Sequence, residues 1–149
     1  MTIGIGLLGL GTVGAGVAEI LLNHQGRHPL VGQLALKRVA VRDLNRPRPV
    51  DLPAEILCTD PQQVVNDPAV DIVVEVMGGL EPARSLILAA IAAGKPVVTA
   101  NKAVIARYGE EIAAAAAERG VYVLIEAAVG GGIPIIEPLK QSLGGNRIQ

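Results

Sequence analysis

The sequence predicts an α/β fold, a doubly wound parallel sheet with helices on both faces, on three observations. Short apolar runs alternate with helix-period segments along the chain, as in successive βαβ units. A glycine-rich turn, Gly9-Leu10-Gly11-Thr12-Val13-Gly14, joins the first apolar run to the first helical segment. Half the residues are hydrophobic and only Tyr108 and Tyr122 are aromatic, so the core is aliphatic and the strands read as runs buried on both faces.

Each element has its own signal. Strands are expected at residues 3–8, 35–41, 71–76, 96–100 and 121–126, with a short one at Ile56 and Leu57. The first helix is expected over residues 12–24, with Val13, Val17, Ile20 and Leu21 along one face, followed by a loop from Gly26 to Gly32. Asp60 as cap, Pro61 at the first helical position and Gln63 completing a capping box mark a short helix. Another starts near Pro82, buries Ala83, Leu86, Ile87, Ala90 and Ile91, and stops at Gly94, where a left-handed residue is wanted. The next carries the alanine run from Ala113 to Ala117, the best helix former, and stops at Gly120. Residues 45–53, rich in proline and charge, read as a surface excursion. Residues 133–143 read as a last helix, Gly144-Gly145-Asn146 as its exit, and Arg147-Ile148-Gln149 as the opening of a further strand, an ending that reads as a cut.

Composition excludes several functions. A length of 149 residues fits one domain with a real core. A net charge of −1 and the lack of aromatic platforms argue against nucleic-acid binding. The uncharged run from Ile3 to Ala18 is crowded with glycine, lacks a basic leader and meets Glu19 too early for a membrane span. One cysteine, Cys58, forms no internal disulfide and reads as a small buried hydrophobe; with no secretory signal, it points to a reducing, cytoplasmic compartment. His24 and His28 have no neighbouring acid or thiol for a metal, and no serine sits in a nucleophile elbow.

Gly-x-Gly-x-x-Gly between a strand and a helix is how a protein holds a dinucleotide. Gly9 permits the tight turn, Gly11 lets the backbone approach a pyrophosphate, and Gly14 lets the helix pack closely on the strand. The diphosphate then lies on the helix N-terminus, where free N–H groups and the macrodipole favour negative charge. In such a sheet the ligand lies beyond the carboxyl ends of the strands, so the residues following each strand are the candidates.

After the second strand come Arg42 and Asp43: an acid accepts from the adenosine ribose of NAD, whereas an arginine pairs with the extra phosphate of NADP. Arg42 lies nearer the strand, which favours NADP(H) with NAD(H) tolerated. Met77-Gly78-Gly79 offers backbone that passes under a ribose or nicotinamide, or an ordinary turn. Glu75, a carboxylate inside an apolar strand, must be hydrogen-bonded, and a structural role is favoured. Asn101 and Lys102 put an amide and an ammonium on the same edge, where a lysine can bond a ribose or polarise a carbonyl oxygen. The sixth strand is expected to deliver Glu126, and the glycines from Gly130 to Gly132 then read as an anion nest, a loop of carbonyls facing a cation, or a hinge.

Together these segments resemble homoserine dehydrogenase. The resemblance rests on residues 6–14 (Gly-Leu-Leu-Gly-Leu-Gly-Thr-Val-Gly), 39–43 (Val-Ala-Val-Arg-Asp), 75–79 (Glu-Val-Met-Gly-Gly), 98–102 (Val-Thr-Ala-Asn-Lys) and 126–134 (Glu-Ala-Ala-Val-Gly-Gly-Gly-Ile-Pro), in the family's order. It implies a Rossmann-like NAD(P)-binding domain over residues 1–149 of an oxidoreductase that interconverts L-homoserine and L-aspartate 4-semialdehyde, towards threonine and methionine. By position, Thr12, Val13, Arg42, Met77, Gly78 and Lys102 would contact the cofactor, and Lys102, as the catalytic residue, would lie close to the reacting carbon. The family is similar in binding a monovalent cation, sodium, which maps to Glu126, Val129, Gly131 and Ile133; Gly130 stands where many relatives have alanine. The family's substrate and dimerisation domain is absent from this chain. The resemblance therefore implies a fragment that binds cofactor but is silent alone, a homodimer for the whole enzyme, and exposed apolar surface prone to association. Two other readings use the same fold: a non-catalytic dinucleotide sensor, and a dehydrogenase of another semialdehyde or amino acid.

Overall fold

A computed structural model describes residues 2–141. Six parallel strands, β1 (Ile3–Leu8), β2 (Leu34–Ala40), β3 (Leu57–Cys58), β4 (Ile72–Glu75), β5 (Val97–Thr99) and β6 (Val123–Leu124), form one sheet in the order β3-β2-β1-β4-β5-β6. The order reverses between β1 and β4, which opens a crevice beyond their carboxyl ends. Among the described residues the α-helices are α1 (Thr12–Leu22), α2 (Gln62–Asn66), α3 (Ala83–Ala92), α4 (Lys102–Arg119) and α5 (Ile136–Gln141); the first four cover the sheet, and α5 buries no residue.

The two faces are covered unequally. On one, α2, α3 and α4 close a core that includes Leu8, Val73, Leu86, Ile87, Val97 and Ile112. On the other, α1 and the loop carrying Val50 and Leu52 pack over Leu7, Ala18, Val39 and Val41. All five residues expected on the buried face of α3 are buried there. Gly94 (φ +74°) and Gly120 (φ +65°) adopt the left-handed conformation expected at those ends, and the Gly120 N–H bonds back to the carbonyls of Ala116 and Ala117.

Other expectations need correction. The buried residues of α1 are Gly14, Ala15 and Ala18; Val17 packs on the core, but Val13 and Ile20 are 55% and 40% exposed. The helix lies so close to the glycine turn that its fully buried side chains are its smallest, and tertiary geometry overrides the apolar stripe. The sixth strand is two residues long rather than six, and Glu126 lies in a 3₁₀ turn, Glu126–Ala128, beyond it. The expected loop from Gly26 to Gly32 contains most of a 3₁₀ helix, Pro29–Gln33, capped by His28 Nδ1, which accepts from the Leu30 N–H at 3.3 Å. The N-cap of α2 is Pro61 rather than Asp60; the Asp60 carboxylate, one residue earlier, accepts from the Gln62 N–H at 2.9 Å, and the Gln63 side chain makes no reciprocal bond among the described residues. The last helix occupies Ile136–Gln141 of the span expected; its exit and the strand expected after it lie outside the described residues.

Cys58 is buried, its thiol donating to the Val39 and Asp60 carbonyls, and burial pushes its pKa up. At the opposite end of the sheet from the crevice, Asp67 pairs with Arg38 at 2.9 Å and caps the turn at Ala69, while Asp71 accepts from the Gly4 N–H at 2.6 Å. Among the described residues no helix is long and apolar enough to cross a membrane.

Candidate dinucleotide-binding site

The turn from β1 into α1 crosses the crevice. Gly9 has φ +101°, and a Cβ built on it would lie 3.0 Å from the Val76 carbonyl oxygen, so the turn is both left-handed and pressed on the β4 loop. A Cβ on Gly14 would lie 2.2 Å from the Gly9 carbonyl oxygen, a contact no side chain tolerates. At Gly11 the same construction meets nothing within 4 Å. Two glycines are thus demanded by packing within the chain, and the third faces open space at the N-terminus of α1. The first turn of α1 carries no acidic residue, and Gly11, Thr12 and Val13 are exposed. Free N–H groups there are ready for an anion.

The Pro-rich excursion after β2 folds back over this turn. Leu10, Gly11, Thr12 and Gly16 on one side, with Arg46 and Arg48 on the other, line a cleft of about 350 Å³. A neighbouring cleft of about 480 Å³ shares Arg46, Arg48 and Val50 and extends to Leu44 and Asp51. The Arg48 guanidinium staples the excursion, donating to the carbonyls of Asp43, Leu44 (3.3 Å) and Arg46 (2.9 Å). Arg46 is exposed and lines both clefts. These two arginines are not among the residues expected at the site, since residues 45–53 read in the sequence as a surface excursion. The signal was present in Arg46-Pro47-Arg48-Pro49, where prolines stiffen a loop that carries two cations close behind Arg42. Arg42 itself is exposed and lines neither cleft, and the Asp43 carboxylate accepts from the Asn45 N–H at 2.9 Å to close a local turn.

At the far side of the crevice the β4 and β5 ends are joined by buried polar groups. Glu75, fully buried, accepts from the Met77 N–H (2.8 Å) and the Thr99 hydroxyl (2.6 Å). Asn101 caps α4 by accepting from the Val104 N–H at 3.2 Å, and its amide donates to the Gly79 carbonyl at 2.8 Å. This bears out a structural role for Glu75. Met77 is half-buried against the core, whereas Gly78 (φ +77°) is exposed. Lys102 is the first residue of α4 and exposed, and it joins none of the ion pairs among the described residues. A cation at a helix N-terminus opposes the macrodipole, so helix stability does not account for Lys102.

Beyond β6, the loop with left-handed Gly130 and Gly131 leads into α5. The Glu126 carboxylate reaches across it and accepts from the N–H groups of Ile135, Ile136 (2.9 Å) and Glu137 (2.9 Å). Those amides, Ile135 first, hold its pKa below the usual carboxylate range. Val129 donates to the Glu126 carbonyl at 3.1 Å and Ile133 to the Gly130 carbonyl at 3.2 Å. Among the described residues no three His, Cys, Asp or Glu side chains gather as a metal site.

A family model described as the NAD binding domain of homoserine dehydrogenase matches residues 9–126. The chain belongs to this family. A homoserine dehydrogenase of Synechocystis sp. is 68% identical over 149 residues, covering 100% of this chain and 34% of that protein. The crystal structure of a homoserine dehydrogenase from Thiobacillus denitrificans superposes with a TM-score of 0.84 at 48% identity, over 100% of this chain and 35% of that one. A hyperthermophilic archaeal homoserine dehydrogenase in complex with NADPH gives a TM-score of 0.76 at 26% identity, over 97% of this chain and 50% of that one. The chain thus spans about a third of the length of the curated relatives it matches. The fold is Rossmann-like, with the nucleotide-binding order of strands, and the domain is one for a pyridine nucleotide.

Proposed function

We propose that residues 1–149 form the cofactor-binding domain of an NAD(P)-dependent homoserine dehydrogenase, which interconverts L-homoserine and L-aspartate 4-semialdehyde in the biosynthesis of threonine and methionine. The observation that carries the reading is Gly11: nothing within the chain requires glycine there, and a diphosphate seated on the α1 N-terminus does. Gly9 and Gly14 shape the turn, while Thr12 and Val13 offer its amides. Met77 and Gly78 take the nicotinamide side. NADP(H) is preferred and NAD(H) tolerated, because Arg42 follows β2 and the excursion behind it carries the exposed Arg46, while Asp43 is spent on a local turn and Arg48 on holding the excursion.

When bound, the nicotinamide supplies hydride transfer. The chain's part is to hold it, and Lys102, exposed at the start of α4, would meet a ribose or the oxygen at the reacting carbon with its ammonium. Relatives about three times this length supply the rest, and we assign substrate binding and dimerisation to a domain outside these residues. Hydride transfer needs the substrate fixed at near-attack distance, so this chain alone is catalytically silent. The compartment is the cytoplasm.

The same loop suits a monovalent cation such as sodium. The Glu126 carboxylate is engaged by amides, so carbonyl oxygens of Glu126, Val129, Gly131 and Ile133 would hold the ion, with that carboxylate's charge close by. Calorimetric titration of the chain with NADPH and NADH, alongside Arg42→Ala and Lys102→Ala, tests the reading. Saturable binding, with Arg42→Ala weakening NADPH more than NADH, is expected. No binding of either nucleotide by the folded chain overturns it, and homoserine turnover by the chain at an ordinary enzyme rate overturns the assignment of substrate binding elsewhere.

A further inference from the structure

The buried polar cluster at the ends of β4 and β5 forms a closed circuit. Glu75 Oε1 accepts from the Met77 N–H at 2.8 Å and lies 3.5 Å from Asn101 Nδ2; Oε2 accepts from the Thr99 hydroxyl at 2.6 Å. The Thr99 oxygen accepts in turn from the Asn101 N–H at 3.0 Å. Asn101 Nδ2 donates to the Gly79 carbonyl, and its Oδ1 caps α4. The three side chains are 0%, 0% and 6% exposed.

Glu75 and Thr99 are direct partners in the β4–β5 ladder. An apolar pair would fill that position without the cost of burying a carboxylate, as Val73 and Val97 do two residues earlier on the same face. What the polar pair adds is connection. It fixes both ends of the loop Met77-Gly78-Gly79, one through the Met77 amide and the other through the Gly79 carbonyl. It fixes the residue immediately before Lys102 through the same Asn101. Gly78 and Gly79 are both left-handed, at φ +77° and +76°, and a loop with two such glycines has little conformational preference of its own.

We propose that Glu75, acting through Thr99 and Asn101, is a positioning residue that sets the Met77–Gly79 backbone and the start of α4 for the nicotinamide half of the cofactor. The proposal rests on the cofactor reading above, and the network takes no part in holding the adenosine half, which lies with the glycine turn and the arginine-bearing excursion across β1.

Two ligands separate the halves. Adenosine 2′,5′-bisphosphate probes the adenosine half alone, and NADPH probes both. In Glu75→Gln and Thr99→Val the dissociation constant for NADPH is expected to rise about tenfold, the scale of one charge-assisted hydrogen bond, with that for the bisphosphate changing less than twofold. Thr99→Ser keeps the hydroxyl and should restore NADPH binding. Bisphosphate affinity also reports folding of each variant. Equal losses for the two ligands, unchanged NADPH affinity in folded variants, or failure of all three variants to fold overturns the positioning role. A wild-type chain that binds the bisphosphate but NADPH no more tightly overturns this proposal and leaves the cofactor reading standing; a folded wild-type chain that binds neither overturns both.

Discussion

The three glycines of the β1–α1 turn are exposed to two different demands, and adding one methyl group at a time separates them. In Gly14→Ala the new carbon would lie 2.2 Å from the Gly9 carbonyl oxygen, against 3.4 Å for ordinary contact, so α1 must retreat by roughly 1.2 Å. The obstacle is backbone and has no rotamer to escape into. Overpacking of this kind costs about 1–3 kcal/mol, and the gain from placing alanine in a helix offsets about 1 kcal/mol of it. A net loss of about 1 kcal/mol lowers the melting temperature by roughly 2–4 °C in a chain of this size. Gly16→Ala, in the same helix, meets nothing within 4 Å and should stabilise by about 0.5–1 kcal/mol. Gly11→Ala also meets nothing and has φ −80°, so its stability should stay within about 0.5 kcal/mol of wild type. Its methyl group nevertheless occupies the space through which a diphosphate reaches the amides. Losing one or two charge-assisted hydrogen bonds there weakens NADPH by about 10–100-fold. Thermal melts and calorimetric titration of the three variants measure both quantities. Wild-type affinity in Gly11→Ala, or a Gly14→Ala variant as stable as Gly16→Ala, would refute the reasoning.

Three further outcomes follow from other parts of the molecule. Arg46→Ala should raise the NADPH dissociation constant about tenfold and that for NADH less than twofold, since only the former carries the extra phosphate; equal effects would remove Arg46 from the phosphate site. Asp67 has its pKa lowered by the Ala69 amide first, and by Arg38. Its stabilisation is therefore full above the ordinary aspartate value of about 3.9 and is lost as pH falls through the lower folded value. Asp67→Asn should cost about 1 kcal/mol at neutral pH and flatten the acid limb of a melting profile, and an unchanged acid limb contradicts that. Glu126, likewise depressed, holds the α5 amides with full effect above about 4.3 and releases them as pH falls through its folded value. Protection factors at Ile136 and Glu137, which correct for the pH dependence of intrinsic exchange, should fall in Glu126→Gln and on acidification of the wild type; unchanged protection in both would show that the carboxylate does not hold the helix.

Where a single local rule decides the outcome, the sequence was enough. The buried set of α3 follows from its 3.6-residue period, and the left-handed Gly94 and Gly120 from helix termination. The buried face of α1 does not follow its apolar stripe, because its contact is set by how closely the helix approaches β1, a distance that no periodicity contains. The Gly14 position does contain it: a residue with room for no Cβ implies a helix too close for Val13 or Ile20 to be the packing residues. β6 was overextended for a related reason. Its apolar run continues into Ile125, but among the described residues β6 pairs with β5 alone, and pairing stops after two residues.

The candidate site is legible where its residues follow strand ends and illegible where the chain returns from elsewhere. Gly9, Gly11, Gly14, Met77, Gly78 and Lys102 stand at carboxyl ends of strands, and strand order alone brings them to one edge. Arg46 and Arg48 reach the same crevice through a loop whose course depends on one guanidinium binding three carbonyls. Glu75 shows the limit from the other side. Its burial was readable from the apolar run around it, but its partners Thr99 and Asn101 lie on the neighbouring strand and at the next helix start, so only the parallel register of β4 against β5 reveals that one carboxylate ties together the two loops flanking the crevice. A buried charge in a strand is thus best read as a question about what the adjacent strand brings level with it.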